Sequence, residues 1–107
     1  MSNYLYIAQL AIPVDLVDDF TRLYDEGYLP SLLKINGVTS AKRYKLQWSD
    51  TSDMPEYLAV YELDSPYIPK SSAWKQASID CGWAKIIRPH LKTRKHGMFR
   101  KLDPVKY

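Results

Sequence analysis

Residues 3–12, NYLYIAQLAI, are apolar at both parities. Read as a strand, Tyr4, Tyr6, Ala8 and Leu10 fall on one face, and Leu5 and Ile7 join Gln9 on the other. Residues 56–64, EYLAVYELD, repeat the pattern, with Tyr57, Ala59, Tyr61 and Leu63 opposed to Leu58 and Val60. Strands of this kind need cover on both sides. A chain of 107 residues supports one core, so residues 1–107 are expected to form a single domain.

The remaining segments say what covers the sheet. In residues 14–28 the period changes, and Leu16, Phe20, Leu23 and Gly27 recur at three and four, with Tyr24 and Tyr28 on the flank. Asp15, Asp18 and Asp19 suit the positive end of that helix. Gly27 weakens it and Pro30 breaks or kinks it near Tyr28, leaving residues 31–35 for one more short helical piece. After the Asn36-Gly37 turn, residues 38–48 predict a strand whose Val38, Ser40, Lys42, Tyr44, Leu46 and Trp48 share one face. Ser71 or Ser72 caps a second helix through Trp74, Ala77 and Ser78. Gly82 interrupts it, Trp83, Ile86 and Ile87 form a further turn, and Pro89 closes it. Residues 93–102 predict a last strand, and the final five residues a tail.

The order β-α-β-β-α-β, joined by right-handed crossovers, predicts an α+β, ferredoxin-like, four-stranded antiparallel sheet with both helices on one face. The uncovered face still carries apolar residues. Its simplest cover is a second copy of the chain, so a homodimer through the sheet face is expected.

Composition narrows the class. The longest apolar runs are about five residues, far short of the roughly 20 that a membrane span needs, so no membrane role is expected. One cysteine, Cys81, excludes an internal disulfide and any multi-cysteine metal or cluster site, and suits a reducing cytoplasm. His90 and His96 lack a ligand-like spacing, so neither a bound metal nor a cofactor is expected. Eight of the fifteen basic residues lie in the last stretch, from Lys85 to Lys106, where Asp103 is the one acid. That end can steer an anion, or simply blunt a helix end and an edge strand. A net charge of +3 is too modest to argue for nucleic acid.

The segments FTRLYDEGYLPSLLKINGVTSAKRY (20–44), YLAVYELDSP (57–66), SAWKQA (72–77) and RPHLKTRKHGMFRKL (88–102) resemble the dimeric α/β-barrel superfamily. That superfamily includes EthD-like proteins, antibiotic-biosynthesis monooxygenases, polyketide cyclases, muconolactone isomerases and haem-degrading monooxygenases. The resemblance implies two sheets facing each other across a dimer, and a ligand cleft between sheet and helices. It also marks a departure. Relatives often carry Glu-His before the Leu-Pro step, and here those positions are Gly27 and Tyr28.

The candidate site follows from this. Tyr28 can orient a carbonyl or phenol oxygen, since a phenol near its ordinary pKa of about 10 is a poor base. His90, beside Arg88 and Lys92 that favour its neutral form, is the candidate proton carrier, with Glu26 a lesser one. Tyr6, Tyr24, Tyr44 and Tyr61, with Trp74 and Trp83, are candidates to line an aromatic pocket. His96, in mid-strand, reads as surface or interface, and Cys81 as buried filler.

Two functions fit. One is a small cofactor-independent enzyme acting on an aromatic, quinone-like or polyketide-like molecule by proton transfer: cyclisation, isomerisation, elimination or lyase cleavage, or ring oxygenation. The other is a non-catalytic homodimer that binds or carries a small hydrophobic ligand, to which the missing Glu-His pair points. RNA binding would need an exposed aromatic sheet face, which a dimer would cover.

Overall fold

The computed structural model describes residues 3–102; the expected tail lies outside them. Strands β1 (Tyr4–Ala11), β2 (Val38–Lys45), β3 (Tyr57–Leu63) and β4 (Thr93–Arg100) form one antiparallel sheet in the order β2-β3-β1-β4. This is the ferredoxin-like arrangement. In the register, Tyr6 stands between Tyr61 and Met98, and Ala8 between Ala59 and His96. Tyr57, Ala59, Tyr61 and Leu63 are buried under the helices, while Leu58 and Val60 are half-buried on the open side.

Both helical paths widen where the sequence disfavours a regular helix. Helix α1 (Val17–Leu23) runs into a π turn over Tyr24–Tyr28 and continues as α2 (Leu29–Leu33). Pro30 has no N–H and its ring would press on the carbonyl one turn back, and a widened turn relieves both conflicts. The chain therefore does not break near Tyr28: regular α-helix ends earlier, at Leu23, and the path continues. The second path repeats this. Helix α3 (Ser72–Asp80) starts at Ser71, whose hydroxyl accepts from the Trp74 N–H at 3.2 Å. It ends at Gly82, whose φ of 88° lies in the left-handed region, and a second π turn follows over Trp83–Ile87. A short 3-10 turn over Arg88–His90 leads into β4.

The two widened turns meet. At the end of α3, just before the second of these turns, a Cβ at Gly27 would stand 3.1 Å from the Cys81 Cβ, a tight approach that the glycine eases. Trp83 lies edge-on to Tyr24 at 5.0 Å and stacks on Tyr28 at 6.0 Å with 12° between the planes. Phe20, Leu32, Leu63 and Ile87 are fully buried in the same core.

Strand β2 corrects the sequence reading. A bulge between Val38 and Ser40 shifts its register, and the Thr39 hydroxyl donates to the Glu62 carbonyl at 3.1 Å. Val38 faces the helices opposite Leu63. Beyond the bulge the parity flips, so Ala41 and Arg43 face the helices and Tyr44 faces away. The Arg43 guanidinium lies 5.0 Å over the Phe20 ring and 5.6 Å from that of Tyr24. Its contact with Asp25 is a 3.5 Å ion pair without hydrogen-bond geometry, and the buried Nη1 has no hydrogen-bond partner. Trp48, expected to extend this strand, is 82% exposed in the loop beyond it.

Gly27 is therefore a tightly packed position. Restoring the acidic residue of the resembling pattern, Gly27→Glu, overpacks the junction at a cost of about 1–3 kcal/mol. Replacing a helical glycine recovers roughly 0.5–1 kcal/mol. The expected net result is a loss of about 1 kcal/mol in urea unfolding, read as a lower midpoint at unchanged slope.

Candidate functional site

Between the helix-facing side of the sheet and the two widened turns lies a cavity of about 230 Å³. Its floor is Tyr6 and Ala8 of β1, Tyr61 of β3 and His96 of β4. Its walls are Tyr24, Tyr28, Trp74 and Trp83. Lys75, Arg88 and Arg94, all exposed, stand at its mouth. Trp74 holds the floor and wall together, edge-on to Tyr61 at 5.1 Å and to Tyr6 at 5.7 Å.

The cavity walls are neutral. Burial pushes the Tyr24 phenol up to about 12, although the Tyr61 hydroxyl and the Arg43 charge pull the other way. Burial pushes Tyr28 higher still, against a hydrogen bond from the Trp74 indole. Tyr61 also lies well above the ordinary phenol value, first through burial. These hydroxyls stay protonated near neutral pH and can donate hydrogen bonds to a ligand oxygen. Burial likewise raises the Cys81 thiol, so it is not a ready nucleophile.

His96 is different. Its ring stacks on Tyr6 at 5.6 Å with 21° between the planes, at the rim, where much of its remaining surface is open. Desolvation, then the positive charges of Arg94 and Arg88, lower its pKa to about 4. The imidazole is neutral near pH 7 and presents one nitrogen as a proton acceptor.

Six of the expected residues meet in this cavity: Tyr6, Tyr24, Tyr28, Tyr61, Trp74 and Trp83. Three do not. Tyr44 is on the opposite side of the sheet, 52% exposed, because the bulge in β2 turns it there. Glu26 is exposed on the first widened turn, whose inward positions are taken by Tyr24 and Tyr28. His90 ends the 3-10 turn as an exposed side chain outside the cavity lining.

His96 lines the cavity and was missed. The signal was available in the alternation of β4, where Arg94, His96 and Met98 share a parity. Antiparallel pairing with β1 sets that parity opposite Leu10, Ala8 and Tyr6 on the covered face. The basic neighbours concealed it, because they made the whole strand look solvated.

An NMR titration of the His96 ring is expected to give a midpoint near 4 instead of the ordinary 6.5 or so. A group whose folded pKa is lowered binds fewer protons in the native state than in the unfolded chain between these values. Its contribution therefore takes stability away as pH falls through that window. The variant His96→Asn should lose less stability than the parent over the same interval. A midpoint near 6.5 would remove the desolvated, cation-flanked placement of this ring.

No family model and no curated protein matches the chain. Solved structures do. An EthD family protein from Bacillus halodurans aligns with a TM-score of 0.64 and 19% identity, over 89% of this chain and 96% of its own. A putative antibiotic biosynthesis monooxygenase from Bordetella bronchiseptica gives 0.66 and 11%, over 95% and 99%. A dimeric ferredoxin-like protein of unknown function from Thermobifida fusca gives 0.62 and 14%, over 92% and 91%. The chain thus has the ferredoxin-like fold that EthD and antibiotic-biosynthesis-monooxygenase-like proteins share, the fold of the superfamily its sequence resembles.

Proposed function

We propose that this protein is a small cofactor-independent cytoplasmic enzyme that moves a proton on an aromatic or polyketide-like molecule. The observation that carries this reading is that His96, whose imidazole is neutral, lines the same aromatic cavity as Tyr28 and Tyr61, whose hydroxyls stay protonated. His96 takes the part that the sequence suggested for His90. It accepts a proton from a carbon next to a carbonyl, the resulting enolate oxygen takes a hydrogen bond from a tyrosine hydroxyl, and the imidazolium returns the proton to the carbon at which the product forms. Cyclisation, isomerisation and elimination begin with this step, and ring oxygenation can begin with the corresponding loss of a phenolic proton.

The step can be followed without the natural substrate. With 4-hydroxyphenylacetone in deuterated buffer, the protein is expected to speed loss of the α-hydrogen signal over buffer alone. His96→Asn should return the rate to baseline. Tyr28→Phe should keep the fold and slow exchange roughly 5- to 150-fold, the value of one hydrogen bond of about 1–3 kcal/mol in the transition state. Binding of the ketone with no acceleration would favour the non-catalytic carrier instead.

We further infer a homodimer through the open sheet face. Leu5, Ile7, Leu58 and Val60 are half-buried there, and Phe99 beside them is 55% exposed. Such a face is the kind that a two-fold copy covers. Sedimentation equilibrium should give about 25 kDa, twice the 12.4 kDa chain. Val60→Glu, which places a charge at the centre of the face, should give the monomer. A parent protein that stays monomeric at micromolar concentration would overturn the barrel reading.

A further inference from the structure

We infer that the ligand of this cavity is a small aromatic carboxylic acid, its ring between the tyrosines and tryptophans and its carboxylate held at the mouth by Arg88 and Arg94. This rests on the cavity being an aromatic ligand site and adds the ligand's charge and the residues that read it.

Three cations surround one opening. Lys75 comes from α3, Arg88 from the 3-10 turn and Arg94 from β4, and no Asp or Glu is among the residues lining the cavity. The ion pairs found among the described residues are Arg22 with Asp19 and Arg43 with Asp25, so none of the three cations is spent on one. Like charges gathered around a concave, partly apolar site raise a potential that an anion relieves. Blunting of an edge strand accounts for basic residues on β4. It does not account for Lys75 on the helix, nor for the way Arg88 is held. The Arg88 Nη2 donates to the Ser78 Oγ at 3.0 Å, and Ser78 is 3% exposed. A buried hydroxyl thus fixes an exposed guanidinium at the edge of the cavity. The field of both arginines reaches inside, since both disfavour the protonated form of His96.

The chemistry and size of the ligand follow. The fork of an arginine matches the two oxygens of a carboxylate. A cavity of about 230 Å³ is smaller than the roughly 300–1,000 Å³ of sites for drug-sized molecules, which suits one or two rings. With the acid group held outside, the ring and its substituents lie among the hydroxyls and beside His96.

The test is calorimetric titration of the full chain, near neutral pH and at low salt, with 1-naphthoate and with 1-naphthamide, which has the same ring and no charge. The acid is expected to bind about tenfold more tightly or better, with an advantage that shrinks as salt rises. The double variant Arg88→Gln with Arg94→Gln should abolish the preference and leave naphthamide affinity unchanged, which also reports an intact cavity. If that variant loses naphthamide binding, Arg94→Gln alone carries the test: a reduced acid preference supports the assignment, an unchanged one overturns it. Equal binding of acid and amide by the parent protein overturns the carboxylate subsite and leaves the aromatic cavity standing. An acid preference that survives the double variant overturns the two arginines as its readers. Binding of neither probe overturns this inference together with the cavity reading beneath it.

Discussion

The site depends on one close approach, that of the first widened turn at Gly27 to Cys81, the residue that ends α3 just before the second widened turn. A regular helix passing Pro30 would lose a hydrogen bond and clash, so the first path widens upstream of it. The second path widens just beyond Gly82, whose left-handed backbone ends the regular helix. Because no side chain stands at Gly27, the widened turns can touch, and the rings of Tyr24, Tyr28 and Trp83 close over the sheet. The same tight approach bears on the position where the resembling pattern has an acidic residue. A Cβ there would press on the Cys81 Cβ.

Around that junction the polarity changes in one direction. Deepest are phenols that burial keeps protonated. At the rim is an imidazole kept neutral by partial desolvation and by nearby arginines. Outside are three cations that make no ion pair among the described residues. Each layer sets the state of the next, because a charge is costly where water is excluded and cheap where it is not. A ligand entering such a gradient is oriented by it, with its apolar ring inward and any negative group outward.

The sheet separates two tasks. Its covered face supplies the cavity floor, and its open face carries apolar side chains that a single copy leaves half-exposed. The bulge at Thr39 makes this division sharper on β2. It sends Arg43 under the helices, against Phe20 and Tyr24, and sends Tyr44 to the open face. The buried Nη1 of Arg43 has no hydrogen-bond partner, and its charge is met by the faces of Phe20 and Tyr24 and by the Asp25 carboxylate at 3.5 Å.

Much of this was legible in the sequence. Two-sided apolar strands, the change to a helical period after Pro13, the Ser71 cap and the glycine and proline punctuation fixed the order of elements, because these signals act over a few residues. The expectation of an aromatic cleft between sheet and helices came from the family resemblance, and six of its candidates, Tyr6, Tyr24, Tyr28, Tyr61, Trp74 and Trp83, line the cavity while Tyr44 does not. What the sequence could not assign was the parity of β2 beyond Thr39, the inward rotation of Tyr24 and Tyr28 at the expense of Glu26, and the choice of His96 over His90. A bulge flips every later residue without a composition signal, and a widened turn changes which residues face inward by a fraction of a turn. His96 is decided by its pairing with Ala8 across the sheet, a contact between residues far apart in the chain. Its charge state depends first on desolvation in that place, then on Arg94 and on Arg88, which only the folded chain brings to the same opening. Local pattern therefore determined the elements, while tertiary pairing alone decided which rings, which histidine and which cations face the cavity, because those assignments rest on register and distance between separate elements.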